Sequence, residues 1–216
     1  MSVKSGPRVV TNGLIYDLDG AVSRSYSGSG LTVYDAETSA IGGTLVNGVT
    51  YSSNNMGYFA FDGTNDYINA GNDSSLQISS GTISAWTRAS SPGGGFRGIA
   101  AKQYAYGIFY ADSVLASFDW QAAATRSSGI NISDGAWKNV ALTFSGGNGN
   151  IYLNGSSVSN FTYNISNNLY NLFIGAEANA GQYAACNIAQ ALVYNRALTA
   201  QEVLQNYNAT KRRYGL

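Results

Sequence analysis

The sequence predicts an all-β fold, a two-sheet antiparallel jelly-roll sandwich with one short helix near the C-terminus. Three observations predict it. Apolar residues recur at alternate positions in one short segment after another. Gly, Asn and Ser separate these segments at close spacing, with 26 Gly against 2 Pro in 216 residues. One stretch, Trp137 to Gly155 (WKNVALTFSGGNGNIYLNG), carries both signals at once. There Val140, Leu142 and Phe144 alternate with Asn139, Ala141 and Thr143, and Ile151 and Leu153 share a face of the return arm. Ser145 to Asn150 between the arms supplies residues that tolerate positive φ. Trp137 opens the first arm and is large enough to anchor a core. Such a hairpin suits any antiparallel protein; the number of similar segments is what points to a sandwich or jelly roll.

In chain order, residues 1–12 read as a polar arm with a Gly6-Pro7 turn, which either docks on a neighbour or frays. Residues 13–216 read as one domain. Strands are expected at Leu14–Leu18, Ile41–Val46, Tyr58–Phe61 and Tyr67–Ala70, with a turn at Asp62–Asp66. Thr82–Thr87 places Ile83 and Ala85 on one face and Ser84 and Trp86 on the other. Gly98–Lys102, Tyr106–Tyr110 and Val114–Trp120 make a run of three, and the polar Gln121–Asp134 reads as a loop. Asn171–Gly175 and Asn187–Tyr194 follow the opening hairpin. Thr199-Ala-Gln-Glu202 fits a capping box, with Leu198 and Val203 at the staple positions, so a helix starts there. Lys211-Arg-Arg213 forms a basic tail, either solvated or a docking element.

Composition removes several function classes. The formal net charge is zero and only 11% of residues are charged, which argues against nucleic acid as the main partner, because phosphate binding needs a basic excess on one face. There is no His, so His-dependent nucleophilic catalysis and His-ligated metals are excluded. The single Cys186 permits no intrachain disulfide and is expected to be a small buried residue. The first twenty residues hold no apolar run of signal-peptide length, and no later run is long enough to span a membrane. The chain is therefore expected to remain in the compartment where it is made or to leave it within an assembly.

Six segments occur in one order: Phe61–Tyr67 (FDGTNDY), Gly81–Trp86 (GTISAW), Trp137–Val140, Ile151–Gly155, Leu172–Gly175 and Ile188–Val203. Together they resemble the concanavalin A-like lectin/glucanase superfamily, in its laminin G-like and pentraxin-like branch. The resemblance implies two antiparallel sheets face to face, with binding at an edge or on a face. A narrower resemblance rests on Gly6–Leu14, Tyr26–Gly30 and Arg196–Thr210, which are similar to stand-alone proteins of this superfamily in tailed phages. It implies a virion component made in the host cytoplasm, either capsid decoration or a tail, neck or fibre appendage. Other virion proteins, surface glycans and further copies of the chain are then the expected partners.

The resemblance also suggests sites. Glucanases of the superfamily use acids alternating on one strand, whereas this chain has only Glu37, Glu177 and Glu202, and Asp17-x-Asp19 alternates at a strand end. No enzyme is expected on that ground. Related domains often hold Ca²⁺ through clustered oxygens. Here Glu177 matches one acid position, but Asn179 replaces an Asp, and Ala189-Gln190 stands where an acidic pair follows Ile188. The usual ligands are thus partly missing and no cofactor is expected; Glu177 stays a candidate ligand in its own segment, while Asp62, Asn65 and Asp66 either hold an ion in their turn or simply form an Asx turn. For carbohydrate the candidates are Tyr104, Tyr106, Tyr110 and Trp120. The even spacing of the three Tyr allows one sugar-stacking face, and the same residues equally suit the filling of a sandwich.

Overall fold

The computed structural model describes residues 7–38 and 42–216. Its strands are β1 (Leu14–Asp19), β2 (Thr32–Tyr34), β3 (Gly42–Val46), β4 (Thr50–Ser52), β5 (Tyr58–Asp62), β6 (Tyr67–Asn69), β7 (Gly81–Arg88), β8 (Phe96–Lys102) and β9 (Tyr106–Ala111). They continue as β10 (Val114–Asp119), β11 (Ala124–Asn131), β12 (Lys138–Ser145), β13 (Asn148–Leu153), β14 (Ser156–Thr162), β15 (Leu172–Ile174), β16 (Ala176–Glu177), β17 (Gln182–Tyr183) and β18 (Ala185–Tyr194). Helix α1 spans Ala200–Thr210. One sheet runs β14-β13-β12-β7-β18-β5-β4 with β1 also on β18, and the other runs β11-β10-β9-β8-β15-β6-β3-β2. All recorded pairings within them are antiparallel.

The core lies between the sheets. Ile83, Val140, Leu142, Phe144, Ile188 and Val193 meet Ile68, Ile99, Tyr106, Ile108, Leu115 and Ile174 there. The alternation in β12 and β7 has the predicted sense, and the β12–β13 connection is a two-residue turn with Gly146 and Gly147 at φ 57° and 78°. Cys186 is buried as expected, and that burial pushes its thiol up to about 12. Trp137 differs from its expected role. It sits outside the core, on the outer face of the first sheet, in a cluster with Trp86 and Ala189. Gln121–Asp134 differs too, because it contains the strand β11. Its residues alternate between half-buried and exposed, the mark of a polar edge strand that an apolar pattern cannot reveal. Ile41, read as the start of a strand, lies outside the described residues.

The C-terminal segment covers the outer face of the first sheet. Thr199 and Glu202 form the reciprocal capping box, and Leu198 and Val203 are buried beside it. Trp86 stacks on Tyr214 at 4.1 Å and on Tyr207 at 5.8 Å, and its indole N–H donates to Thr210. Residues of the arm pack on the same helix: Val10 N–H donates to Asn206 (2.8 Å) and the Tyr194 hydroxyl donates to the Val10 carbonyl (2.9 Å). Arg213 of the basic tail is an internal partner, in a forked pair with Asp19 at 2.8 and 2.9 Å. Among the described residues no helix is long and apolar enough to cross a membrane.

Arg213→Ala leaves the Asp19 carboxylate buried, with only Ala21 N–H and Gln190 as donors among the described residues. The expected cost is about 3 kcal/mol, because a desolvated charge loses its counter-ion. A fall in the urea midpoint at unchanged slope measures it.

Candidate functional site

Strands β8, β9 and β10 turn alternate residues away from the core. Tyr106, Ile108 and Tyr110 of β9 point inward, so Phe109 points outward, and it pairs with Gly98 of β8 and Ala116 of β10. Phe118 follows Ala116 on the same face, with Trp120 just past the strand end and Phe96 at the start of β8. These four rings meet largely edge to face. Phe96 lies 5.6 Å from Phe109 and 5.5 Å from Phe118, and Trp120 lies 6.0 Å from Phe109 and 5.6 Å from Phe118. Such contacts add about 0.5–1.5 kcal/mol each to area burial and hold the rings in place.

Tyr104 completes the set from the β8–β9 turn, where its backbone is left-handed at φ 59°. Its ring lies 6.5 Å from Trp120 and 5.4 Å from Tyr170. The loop carrying Tyr170 is fastened from below. Lys102 donates to Asn72 and to the Tyr170 carbonyl, and Asn168 donates to the Gln103 carbonyl. Lys102 has no carboxylate in this set of partners, and burial pushes its ammonium down to about 8.

The opposite wall is the β16–β17 hairpin, which crosses the outer face of β8 at Gly98. A Cβ on Gly98 would lie 2.1 Å from the Ala176 carbonyl carbon, so only Gly admits the hairpin this close. The crossing delivers Glu177, Ala180 and Gln182 to the rings. With Gln103 they complete a cleft of about 240 Å³.

Glu177 is the one acid lining this cleft, and it is only 2% exposed. Gln103 donates to its Oε2 at 3.4 Å, while Oε1 has no hydrogen-bond partner among the described residues. Burial pushes the carboxyl up to about 7, outweighing the Ala180 and Asn179 backbone amides that favour the charged form. The cleft thus combines apolar ring surface, two side-chain amides and one carboxyl short of a donor. That set can stack on the flat face of a ligand and bond its polar edge.

Of the residues expected to bind carbohydrate, the structure brings Tyr104 and Trp120 together and separates Tyr106 and Tyr110 from them. Tyr106 stacks on Phe144 in the core and donates to the Leu76 carbonyl, and the Tyr110 hydroxyl bonds Thr87 of the other sheet at 2.7 Å. The reason is local: Tyr104 stands in a turn, and even spacing keeps its meaning only within a strand. The expected ion ligands are also split. Asp62 accepts from Thr64 N–H at 2.7 Å and Asp66 accepts from Asp62 N–H at 3.3 Å, which is an Asx turn, and the Asn65 carbonyl accepts from Asn47. Glu177 lines the aromatic cleft instead. Among the described residues no three His, Cys, Asp or Glu side chains come together as metal ligands would. Asp17 and Asp19 lie outside the cleft; Asp19 is held by Arg213 and Gln190, and burial pushes the Asp17 carboxyl up to about 8. Phe96, Phe109, Phe118, Gln103 and Gln182 were not legible as site residues. Only Phe118-x-Trp120, at strand spacing, signalled a shared face.

Two antiparallel sheets face to face in this strand order define a lectin-like sandwich. The sequence profile of the concanavalin A-like lectin/glucanases superfamily matches residues 62–204, and the chain belongs to that superfamily. No curated protein sequence matches the chain. Solved structures share the fold at low identity. The binding domain of Paraclostridial Mosquitocidal Protein 1 superposes with a TM-score of 0.72 at 17% identity, over 91% of this chain and 52% of that one. Trypanosoma rangeli sialidase in complex with sialic acid gives 0.75 at 15% identity, over 95% and 34%. The receptor binding domain of botulinum neurotoxin C/D mosaic serotype gives 0.69 at 14% identity, over 90% and 51%. The chain therefore spans between about a third and a half of the length of these structures.

A carboxyl raised from 4.5 to about 7 binds more protons folded than unfolded, so its contribution to stability is full below pH 4.5 and is lost as pH rises towards 7. Glu177→Gln removes that loss. The variant is expected to be more stable than the parent at pH 8, by on the order of 2 kcal/mol. It should show no such gain at pH 4, as thermal unfolding across this range reads out.

Proposed function

We propose that the chain is a non-enzymatic, lectin-like module that binds glycans in the cleft between the β8–β10 face and the β16–β17 hairpin. The observation that carries this reading is the pairing of the Tyr104 and Trp120 rings with Gln103, Glu177 and Gln182 in one cleft. Aromatic faces take up the apolar face of a sugar ring, and the amides and carboxyl suit its hydroxyls. The non-enzymatic part is supported by the single carboxyl of the cleft, because most glycoside hydrolysis needs two carboxyls about 5–10 Å apart. Two of the structural neighbours are named as binding domains, which agrees with this reading; the sialidase is an enzyme about three times as long as the match.

The proposal has a second part, that the module is carried on a phage virion as capsid decoration or as a tail, neck or fibre appendage. It is supported by the sequence resemblance at Gly6–Leu14, Tyr26–Gly30 and Arg196–Thr210. A particle-borne lectin would adhere to host-surface or environmental polysaccharide.

A glycan array probed with the parent and with Trp120→Ala tests the first part. Hits are expected for the parent, and their affinity should fall by about 2 kcal/mol in the variant, the loss typical of a central aromatic anchor. No hit from the parent, or equal binding by the variant, would sink the cleft as a glycan site. For the second part, the protein should sediment with phage particles in a density gradient, and its absence from the particle band would reject the virion assignment.

A further inference from the structure

The cleft has a charge character that the glycan reading leaves unused. Among the described residues Glu177 Oε1 is buried without a hydrogen-bond partner, and Glu177 is the one charged side chain lining the cleft. None of the basic residues of β8 and β11 lines the cleft. Arg126 pairs with Asp119 at 2.9 Å, Lys102 donates to Asn72 and the Tyr170 carbonyl, and Arg97 donates to the Phe96 carbonyl at 3.2 Å. Five rings line the cleft with Glu177; those of Phe96, Tyr104, Phe118 and Trp120 remain at least partly exposed, and Phe109 lies buried beneath them. Aromatic faces carry negative potential and attract cations within about 6 Å of the ring centre. A sugar hydroxyl would satisfy Oε1 alone. A cationic group would satisfy Oε1, supply the counter-charge that no cleft side chain provides, and use the ring faces as well. An anionic sugar would meet a carboxyl and aromatic faces with no counter-charge.

We infer that the cleft selects glycans bearing a free ammonium group, with Glu177 as the specificity-determining residue and the Tyr104 and Trp120 rings flanking the cation. The ligand class is a de-N-acetylated amino sugar, in which the ammonium donates to Glu177 Oε1 while the pyranose ring stacks beside it. This rests on the glycan reading of the same cleft. It adds that N-acetylated and carboxylated sugars bind weakly.

The test is calorimetry at pH 7 with the full chain and four probes. These are an oligosaccharide of glucosamine, the same oligosaccharide fully N-acetylated, a sialylated oligosaccharide, and tetramethylammonium as a bare cation. The glucosamine oligomer is expected to bind about tenfold or more tighter than its acetylated form. In Glu177→Gln, whose fold is checked by its melting temperature, that preference should shrink to about twofold or less while residual sugar binding persists. Tyr104→Ala should weaken every probe that binds. Equal binding of the two oligomers, or a preference that survives Glu177→Gln, would overturn the inference and leave the lectin reading standing. Binding of tetramethylammonium with no oligosaccharide bound would support the cation site and overturn the glycan reading. Preferential binding of the sialylated probe would overturn the inference alone.

Discussion

Strand β18 hydrogen-bonds along one edge to β7 and along the other first to β5 and then to β1, so residues 185–194 hold together strands drawn from residues 14–88. The register on the two sides has to agree, and it does so through irregularities: the β7 side slips between Ile188 and Gln190, and the β1 side between Leu14 and Tyr16. These bulges let inward residues such as Ile188, Ala191 and Val193 stay on the core side while the edge passes from β5 to β1. The end of β18 also sets where α1 begins, because Thr82 accepts from Leu198 N–H and donates to the Arg196 carbonyl at the far end of β7. A long-range pairing therefore fixes both the first sheet and the segment that covers it.

The cleft depends on the same strand less directly. Ala184 N–H donates to the Gly175 carbonyl, and Ala185 N–H to the Pro92 carbonyl, so the entry to β18 is tied at the foot of the β16–β17 hairpin. Between these ties Gly175 and Gly98 permit close approach: a Cβ on Gly175 would lie 2.4 Å from the Phe61 ring, just as one on Gly98 would strike Ala176. The hairpin is thus clamped at its base while Glu177 is carried over β8. A buried carboxyl with an unpartnered oxygen destabilises the fold. The fold carries that cost as it carries the other buried unpartnered side-chain atoms among the described residues, Asp17 Oδ1 and the Tyr214 hydroxyl among them.

Much of the fold was legible because strand period and turn chemistry act locally. Ile83 and Ala85 against Trp86, the Gly146-Gly147 turn and the Thr199–Glu202 capping box all read from spacing alone. The failures have physical causes. β11 is an edge strand whose solvated side needs no apolar residues, and its sequence resembles a loop. Trp137 follows the apolar expectation for a Trp but satisfies it on the outer face, against Tyr214 at 4.9 Å and Tyr58 at 5.7 Å, from segments 77 and 79 residues away in sequence. Of the cleft lining, Tyr104 and Trp120 were singled out by residue type and Glu177 as an acid, but not as neighbours of one another. What no spacing rule supplies is that the turn at residues 178–181 folds Glu177 and Gln182 over β8.

Both sheets carry aromatic residues on their outer faces, and the contrast between the two faces bears on function. On the first sheet Trp86 and Trp137 are covered by Tyr207 and Tyr214 from the C-terminal segment, and the indole N–H of Trp86 finds Thr210. That face is closed by its own chain, and its aromatics serve stability. On the second sheet the cover is a short hairpin that reaches the rings only along one side. Tyr104 remains 46% exposed, and Phe96, Phe118 and Trp120 remain half-buried. Rings held rigidly at a surface lose little entropy when a flat ligand stacks on them, and the water over them is released. A sandwich built only for stability would gain by closing this face as it closes the other. The open cleft leaves ring surface that the chain's own segments do not cover, and it is this surface that the proposed glycan would take up.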